Sequence, residues 1–346
     1  MIGPVGITLG DPAGVGPEVV VKALAAGSRA ARAVVIGDVE ALRETVKRLR
    51  VRARVEPIEE NDLCAGRWPR AGAGRVFPVL PVGRLSPRAR RPGKPSLEGG
   101  RAAYHYVMTA TRLARSGALS AIVTAPINKA LVTRAGFPIS GHTELLAEVT
   151  GARDVRMMLA GSRLRVVLVT MHVALADVPK RLTVSGILRT IRVTDEHLRR
   201  YHRLRRPRIA VAGLNPHAGE GGLFGREERT LIAPAVARAR AAGVDAHGPF
   251  AADALFVHAV EGAFDAVVTM YHDQGLIPLK LLHFHDGVNV TMGLPIVRTS
   301  PDHGTAYEIA GKGTANDGSM RAAIALAMEM ARSGTPAAAG RQARKR

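Results

Sequence analysis

Three histidines in similar settings are the first residues whose type and position suggest chemistry. His172 follows the apolar run 164–170, and His217 follows the run 208–213 within Asn215-Pro216-His217-Ala218-Gly219-Glu220. His272 follows the run 266–270. Imidazoles gathered at strand ends can hold Zn²⁺, Mn²⁺ or Co²⁺ and leave coordination positions open for a substrate. Their separations of 45 and 55 residues match no compact metal signature. A single loop histidine is more often a hydrogen-bonding residue than a ligand. Asp273 and Glu220 stand beside two of the rings, as residues that orient an imidazole or simply cap a turn.

A second set suits anions. Lys280, Asn289 and Arg298 place two cations and an amide in one otherwise apolar stretch, enough to clamp a phosphate and a carboxylate. Taken singly, each is also credible as a surface residue. Lys280 sits inside Ile277-Pro278-Leu279-Lys280-Leu281-Leu282, where an idle lysine is unexpected. His142 and Thr143 open a helix and face either the same ligand or nothing. The glycine-bearing run from His303-Gly304-Thr305 through Gly311, Lys312 and Asn316 lets backbone approach a flat ligand, although as a pattern it is only a flexible loop. Near the start, Gly10-Asp11-Pro12-Ala13-Gly14-Val15-Gly16-Pro17-Glu18 reads either as an anion cradle of free N–H groups or as a tight strand-to-helix turn. Asp11, at the strand end, is within reach of a site there.

The elements that must position these residues alternate. Apolar runs at 5–9, 33–37, 121–124, 164–170, 208–213 and 266–270 read as strands. Residues 39–49, 101–116, 183–201, 227–242 and 320–331 read as helices. Such alternation predicts an α/β fold with a largely parallel sheet covered by helices, and ligands there collect beyond the carboxyl ends of the strands. Residues 51–100 resist assignment, and 84–100 reads as an exposed loop rich in arginine.

The 346 residues carry a net charge of +20, with a pI near 11.2. Their arginines are dispersed over helices and are not interleaved with the aromatics that stack on bases, so no specific nucleic-acid binding is expected. One cysteine, Cys64, excludes an internal disulfide. With no leader pattern and no uncharged apolar run near the ~18 residues a span requires, a cytoplasmic protein without a membrane segment is expected. There is no GxSxG, and nothing supports thiol catalysis.

Several motifs, among them GITLGDPAGVGPE, TAPINKAL, NPHAGEGG, GPFAADALF, MYHDQGLIPLK and GVNVTMGLPIVRTSPDHGTAYEIAGKGTAND, together resemble the 4-hydroxythreonine-4-phosphate dehydrogenase family of vitamin B6 synthesis. The likeness runs in order from Gly6 to about Met330. The resemblance implies an isocitrate/isopropylmalate dehydrogenase-like fold of two α/β domains with a cleft between them. Residues 1–130 plus 300–335 would carry the NAD loop, residues 131–299 the metal and dimer-interface residues, and 336–346 a disordered basic tail. It implies NAD or NADP at His303, Gly304, Thr305, Gly311, Lys312 and Asn316. It implies one divalent metal (Zn, Mg, Mn or Co) on His172, His217 and His272. Phosphorylated substrate would meet His142, Thr143, Lys280, Asn289 and Arg298. The family works as a homodimer with shared active sites, one metal histidine coming from the partner. The implied reaction oxidises 4-phosphooxy-L-threonine and then releases CO₂ to give 3-amino-2-oxopropyl phosphate. Lys280 is the first candidate to move the proton, and Asp253 is the second, with a helix cap as its plainer role. A sister group with the same core motifs acts on phosphorylated sugar acids of the threonate or erythronate type.

Overall fold

The structure is a computed structural model that describes residues 3–27, 32–69 and 74–334; the basic tail lies outside them. Twelve strands form one sheet: β1 (Val5–Thr8), β2 (Ala33–Gly37), β3 (Ala53–Pro57), β4 (Arg75–Pro81), β5 (Ala121–Thr124), β6 (Arg156–Ala160), β7 (Arg165–Leu168), β8 (Ile209–Ala212), β9 (Ala246–Phe250), β10 (Ala266–Thr269), β11 (Val288–Met292) and β12 (Arg298–Pro301). Their order across the sheet is β3-β4-β2-β1-β5-β12-β11-β6-β7-β10-β8-β9. The pairings β12–β11, β11–β6 and β6–β7 are antiparallel, and all the others are parallel. Two parallel halves therefore meet at an antiparallel centre. Residues 5–124 with β12 build one half, and residues 156–292 build the other.

The parallel strands are the unbroken apolar runs of the sequence. All four residues of β1, β5, β8 and β10 are buried, as expected where helices cover both faces. Helix starts follow their caps. Asp38 Oδ1 accepts from Ala41 N at 2.7 Å, Ser96 Oγ from Gly99 N at 3.1 Å, and Thr183 Oγ1 from Gly186 N at 3.0 Å. Gly275 marks the tightest helix-to-sheet approach. A Cβ there would collide with Val166 of β7, so the helix His272–His283 lies flush on the strands.

Two expectations gain detail from the structure. Segment 84–96 has no helix or strand, as expected of a loop, but it is anchored: Leu85 and Ala89 are buried, and Leu85 N donates to Asp38 Oδ2 at 2.9 Å. Arg90 pairs with Glu44 at 2.9 Å, and from residue 97 the chain is already helical. Segment 227–242 is helical as expected through Ala241, but its first part, Glu228–Ile232, is a π-turn that leads directly into the α-helix Ala233–Ala241.

Buried histidines make the fold sensitive to acid. Burial, reinforced by His202, Arg165 and Arg200, pulls the His197 pKa from 6.5 down to about 3, and burial with Arg165 pulls His202 to about 4. Both rings stay neutral in the fold but take a proton in the unfolded chain below about pH 6.5. This penalty is absent above that pH and grows as pH falls toward 4. We expect unfolding free energy to drop on acidification through this window, by up to about 1.4 kcal/mol per pH unit for each such ring. Urea titrations of the wild type and His197→Phe should give a shallower pH slope for the variant; equal slopes would show that His197 does not contribute.

Candidate active site

Arg298 opens β12, at the junction of the two halves, and is only 2% exposed. Its Nε and Nη2 donate to Thr124 Oγ1 at 3.1 and 2.8 Å, and its Nη1 donates to Thr291 Oγ1 at 2.8 Å. The neighbouring strands β5 and β11 thus hold the guanidinium in place with hydroxyls that carry no charge. Among the described residues no carboxylate forms an ion pair with it. Burial lowers its pKa to about 10, opposed by the more distant charge of Glu144, so it remains cationic at neutral pH. A buried charge without a counterion is costly, and an anionic ligand would relieve it.

Arg298 lines a cavity of about 410 Å³ together with Lys280, His142, Thr143, Asn289 and His172. Lys280 Nζ lies 3.0 Å from Asp302 Oδ2, and both residues face this space. Three buried polar atoms of the lining, His142 Nε2, Asn289 Oδ1 and His303 Nε2, have no hydrogen-bond partner. Burial first, and then the charge of Arg298, pull the His142 pKa to about 3. A neutral imidazole beside a guanidinium can donate to an anion or accept from a hydroxyl. Unmet hydrogen bonding of this kind, converging on one cavity, marks a place built around a polar ligand.

The three metal-candidate histidines follow β7, β8 and β10, which lie side by side in the order β7-β10-β8 and run parallel. They therefore leave the same edge of the sheet. His172 and His272 come together, with ring centroids 5.7 Å apart, and share a second cavity of about 310 Å³ with Asp273. His272 Nδ1 is 2.6 Å from Asp273 Oδ1. His217 does not join them. It is exposed, in a run from His217 to Gly221 with positive φ throughout, beside Phe224. Non-glycine residues at positive φ are strained, and here the tether is Glu228. Its buried carboxylate accepts from Leu214 N and Asn215 N, each at 2.7 Å. Among the described residues no group of three or more metal-type side chains is assembled within the single chain.

The expected cofactor loop is split. His303 and Gly304 line the large cavity, whereas Lys312 and Asn316 are exposed beyond it. Asn316 Oδ1 accepts from Gly318 N at 2.8 Å. Asp253 lies exposed in the first turn of helix Ala252–Val260, caps nothing, and is not part of the cavity wall. Asp11 is fully buried, accepts from Tyr307 Oη, and stays outside the cavity; burial raises its pKa. The glycine turn at residues 10–18 is no open cradle either. Ala13 N, Gly14 N and Val15 N are donated to Asp11 Oδ1, Asp11 O and Thr305 O.

Comparison with known proteins places this geometry. The family described as pyridoxal phosphate biosynthetic protein PdxA matches residues 29–327. This chain belongs to the PdxA family. A 4-hydroxythreonine-4-phosphate dehydrogenase of Geobacter metallireducens is 53% identical over 94% of this chain and 95% of its own length. A D-threonate 4-phosphate dehydrogenase of Salmonella typhimurium is 46% identical over 94% of this chain and 98% of its own. The crystal structure of a 4-hydroxythreonine-4-phosphate dehydrogenase from Klebsiella pneumoniae superimposes with a TM-score of 0.85 at 44% identity, covering 95% of this chain and 99% of that one.

Within this PdxA chain, sequence reasoning found seven polar residues of the large cavity: His142, Thr143, Lys280, Asn289 and Arg298 for the substrate, His172 for a metal and His303 for the cofactor. It missed Asp302, the partner of Lys280, which lies at the start of the stretch read as the cofactor loop. It also missed Thr124 and Thr291, which hold Arg298. Thr124 ended a recognised strand, and its place at a carboxyl edge was the one available signal.

Proposed function

We propose that this PdxA-family chain oxidises 4-phosphooxy-L-threonine with NAD or NADP and a divalent metal, and that the product loses CO₂ to give 3-amino-2-oxopropyl phosphate. The observation that carries this reading is the convergence of buried, uncompensated Arg298 and three unpartnered polar atoms on one cavity. Arg298 and Lys280 are suited to the anionic groups of such a substrate, with His142, Thr143 and Asn289 supplying neutral hydrogen bonds. Holding the phosphate away from the reacting carbon fixes the geometry for hydride transfer. The oxidation removes a hydride from the alcohol carbon and a proton from its hydroxyl. Decarboxylation then leaves an enol whose carbon takes up a proton. Lys280 Nζ, paired to Asp302, is placed to move these protons. Asp253 is exposed and does not line the cavity, so it is not preferred.

The residues fit a divalent metal. His272, with its Nδ1 proton on Asp273, keeps Nε2 for a cation, and His172 stands beside it. A cation there would acidify the substrate hydroxyl and polarise the new ketone. His217 fits only if a second copy is involved. The elements that bear His217 and His272 also expose large apolar side chains: Leu223, Phe224, Ile277, Leu281 (84% exposed) and Phe284. We therefore read this face as the interface of a homodimer that completes each metal site. The two sheet halves would serve as the two domains, with the cleft at their junction. No helix among the described residues is long and apolar enough to cross a membrane, and we place the enzyme in the cytoplasm.

A second reading has its own support. The D-threonate 4-phosphate dehydrogenase of Salmonella typhimurium is nearly as similar as the relatives named for the amino substrate. NADH formation by metal-stripped protein, given 4-phosphooxy-L-threonine or its deaminated analogue 4-phosphothreonate, separates the two. We expect turnover of the amino substrate on addition of divalent metal. Turnover mainly of the analogue would establish the sister activity, and turnover of neither would refute both. For the dimer, Leu281→Asp should sediment as a monomer and lose metal-dependent turnover; a dimeric, active variant would place the interface elsewhere.

A further inference from the structure

The run from His303 to Asn316 has little regular structure of its own, yet it is gripped from below by a single ion pair. Glu18 is 2% exposed and lies 2.9 Å from Lys22 Nζ, one turn further along the helix Gly16–Ala26. Glu18 accepts from Gly313 N at 3.2 Å and from Ala315 N at 2.9 Å. Lys22 Nζ donates to Gly313 O and Ala315 O, each at 2.7 Å. Both polar groups of both residues are therefore held, the N–H groups by the carboxylate and the carbonyls by the ammonium. At the loop's other end Val15 N donates to Thr305 O at 2.9 Å, and Gly14 lies so close that a Cβ would stand 2.8 Å from that oxygen. None of residues 11–22 lines the large cavity.

We propose that Glu18 and Lys22 are positioning residues for the dinucleotide: they set its affinity by holding the 303–316 loop in its binding shape, without touching it. The proposal rests on the reading of that loop as the cofactor site. An irregular segment bearing several glycines loses much conformational freedom when a ligand orders it. A loop ordered beforehand by charge-assisted hydrogen bonds avoids that loss, and it also explains why the glycine turn at residues 10–18 keeps its N–H groups for the protein. The loop would loosen first on removal of the ammonium, because two carbonyls would lose their donor and Glu18 its counter-charge.

The test compares wild type, Lys22→Met and Lys22→Arg by steady-state kinetics and by hydrogen–deuterium exchange with and without the dinucleotide the wild type uses. We expect the KM for dinucleotide to rise roughly tenfold in Lys22→Met. The kcat at saturation and the KM for the phosphorylated substrate should stay within about twofold. Amides of residues 303–316 should exchange faster, and Lys22→Arg, which can still bridge two carbonyls, should restore most of the affinity. Should Lys22→Met fail to fold, Glu18→Gln is expected to give the same kinetic split. If dinucleotide protects the loop in the wild type while Lys22→Met binds it equally well, the clamp plays no part. If dinucleotide leaves the loop unprotected in the wild type, the cofactor reading fails and takes the proposal with it. A parallel decline of kcat and both KM values would show a merely structural pair.

Discussion

A guanidinium buried at the meeting point of two half-sheets, with no counterion among the described residues, is the constraint around which the rest is arranged. Arg298 is held by hydroxyls on both flanking strands, which orient the group and satisfy some of its hydrogens without neutralising it. Burial keeps the neighbouring His142 ring neutral, and the charge of Arg298 reinforces this. Lys280 arrives from the other half of the sheet, already matched by Asp302. Of the cations that line the cavity, Lys280 has a carboxylate partner and buried Arg298 has none among the described residues; the exposed Lys129 is the third. That asymmetry suits a ligand carrying more than one anionic group, with the strongest attraction at Arg298.

Sheet topology supplies the remaining geometry. The antiparallel centre joins two parallel halves that run in opposite directions, and residues far apart in sequence face one space at their junction. Thr124, His142, Lys280 and Arg298 come from four separate elements. The family gives this arrangement a context, since its members share nearly the full length of this chain. The single chain nevertheless leaves His217 stranded on a strained loop, next to apolar side chains that face solvent. We take both features as two sides of one missing surface.

The parallel strands were legible because strands buried on both faces are written as continuous apolar runs, and β7, β8 and β10 were read in this way. Strands β11 and β12 were not, because Asn289 and Arg298 interrupt their apolar pattern at the very positions that face the cavity. The edge strand β3 and its neighbour β4 lie in a segment where proline and arginine break every periodicity. Segment 84–100 is exposed at Arg84, Arg88 and Arg91, as its composition suggested, but Arg90 is folded back on Glu44 through a contact that composition does not reveal. The site showed the same division. Residue types such as Lys280 and Arg298 could be recognised singly, but their partners Asp302, Thr124 and Thr291 are chosen by tertiary packing. The glycine turn at residues 10–18 was ambiguous for a similar reason, because its partners lie almost 300 residues away in the loop it supports.

The central claim is that the large cavity is organised around an anionic phosphate. The most direct measurement is kcat/KM for 4-phosphooxy-L-threonine against its dephosphorylated counterpart, 4-hydroxy-L-threonine, with metal and dinucleotide saturating. A site built to compensate a buried guanidinium should discriminate by roughly 10⁴-fold, because the alcohol would leave Arg298 unpaired. Comparable efficiencies for the two would contradict the account and require another role for the buried charge.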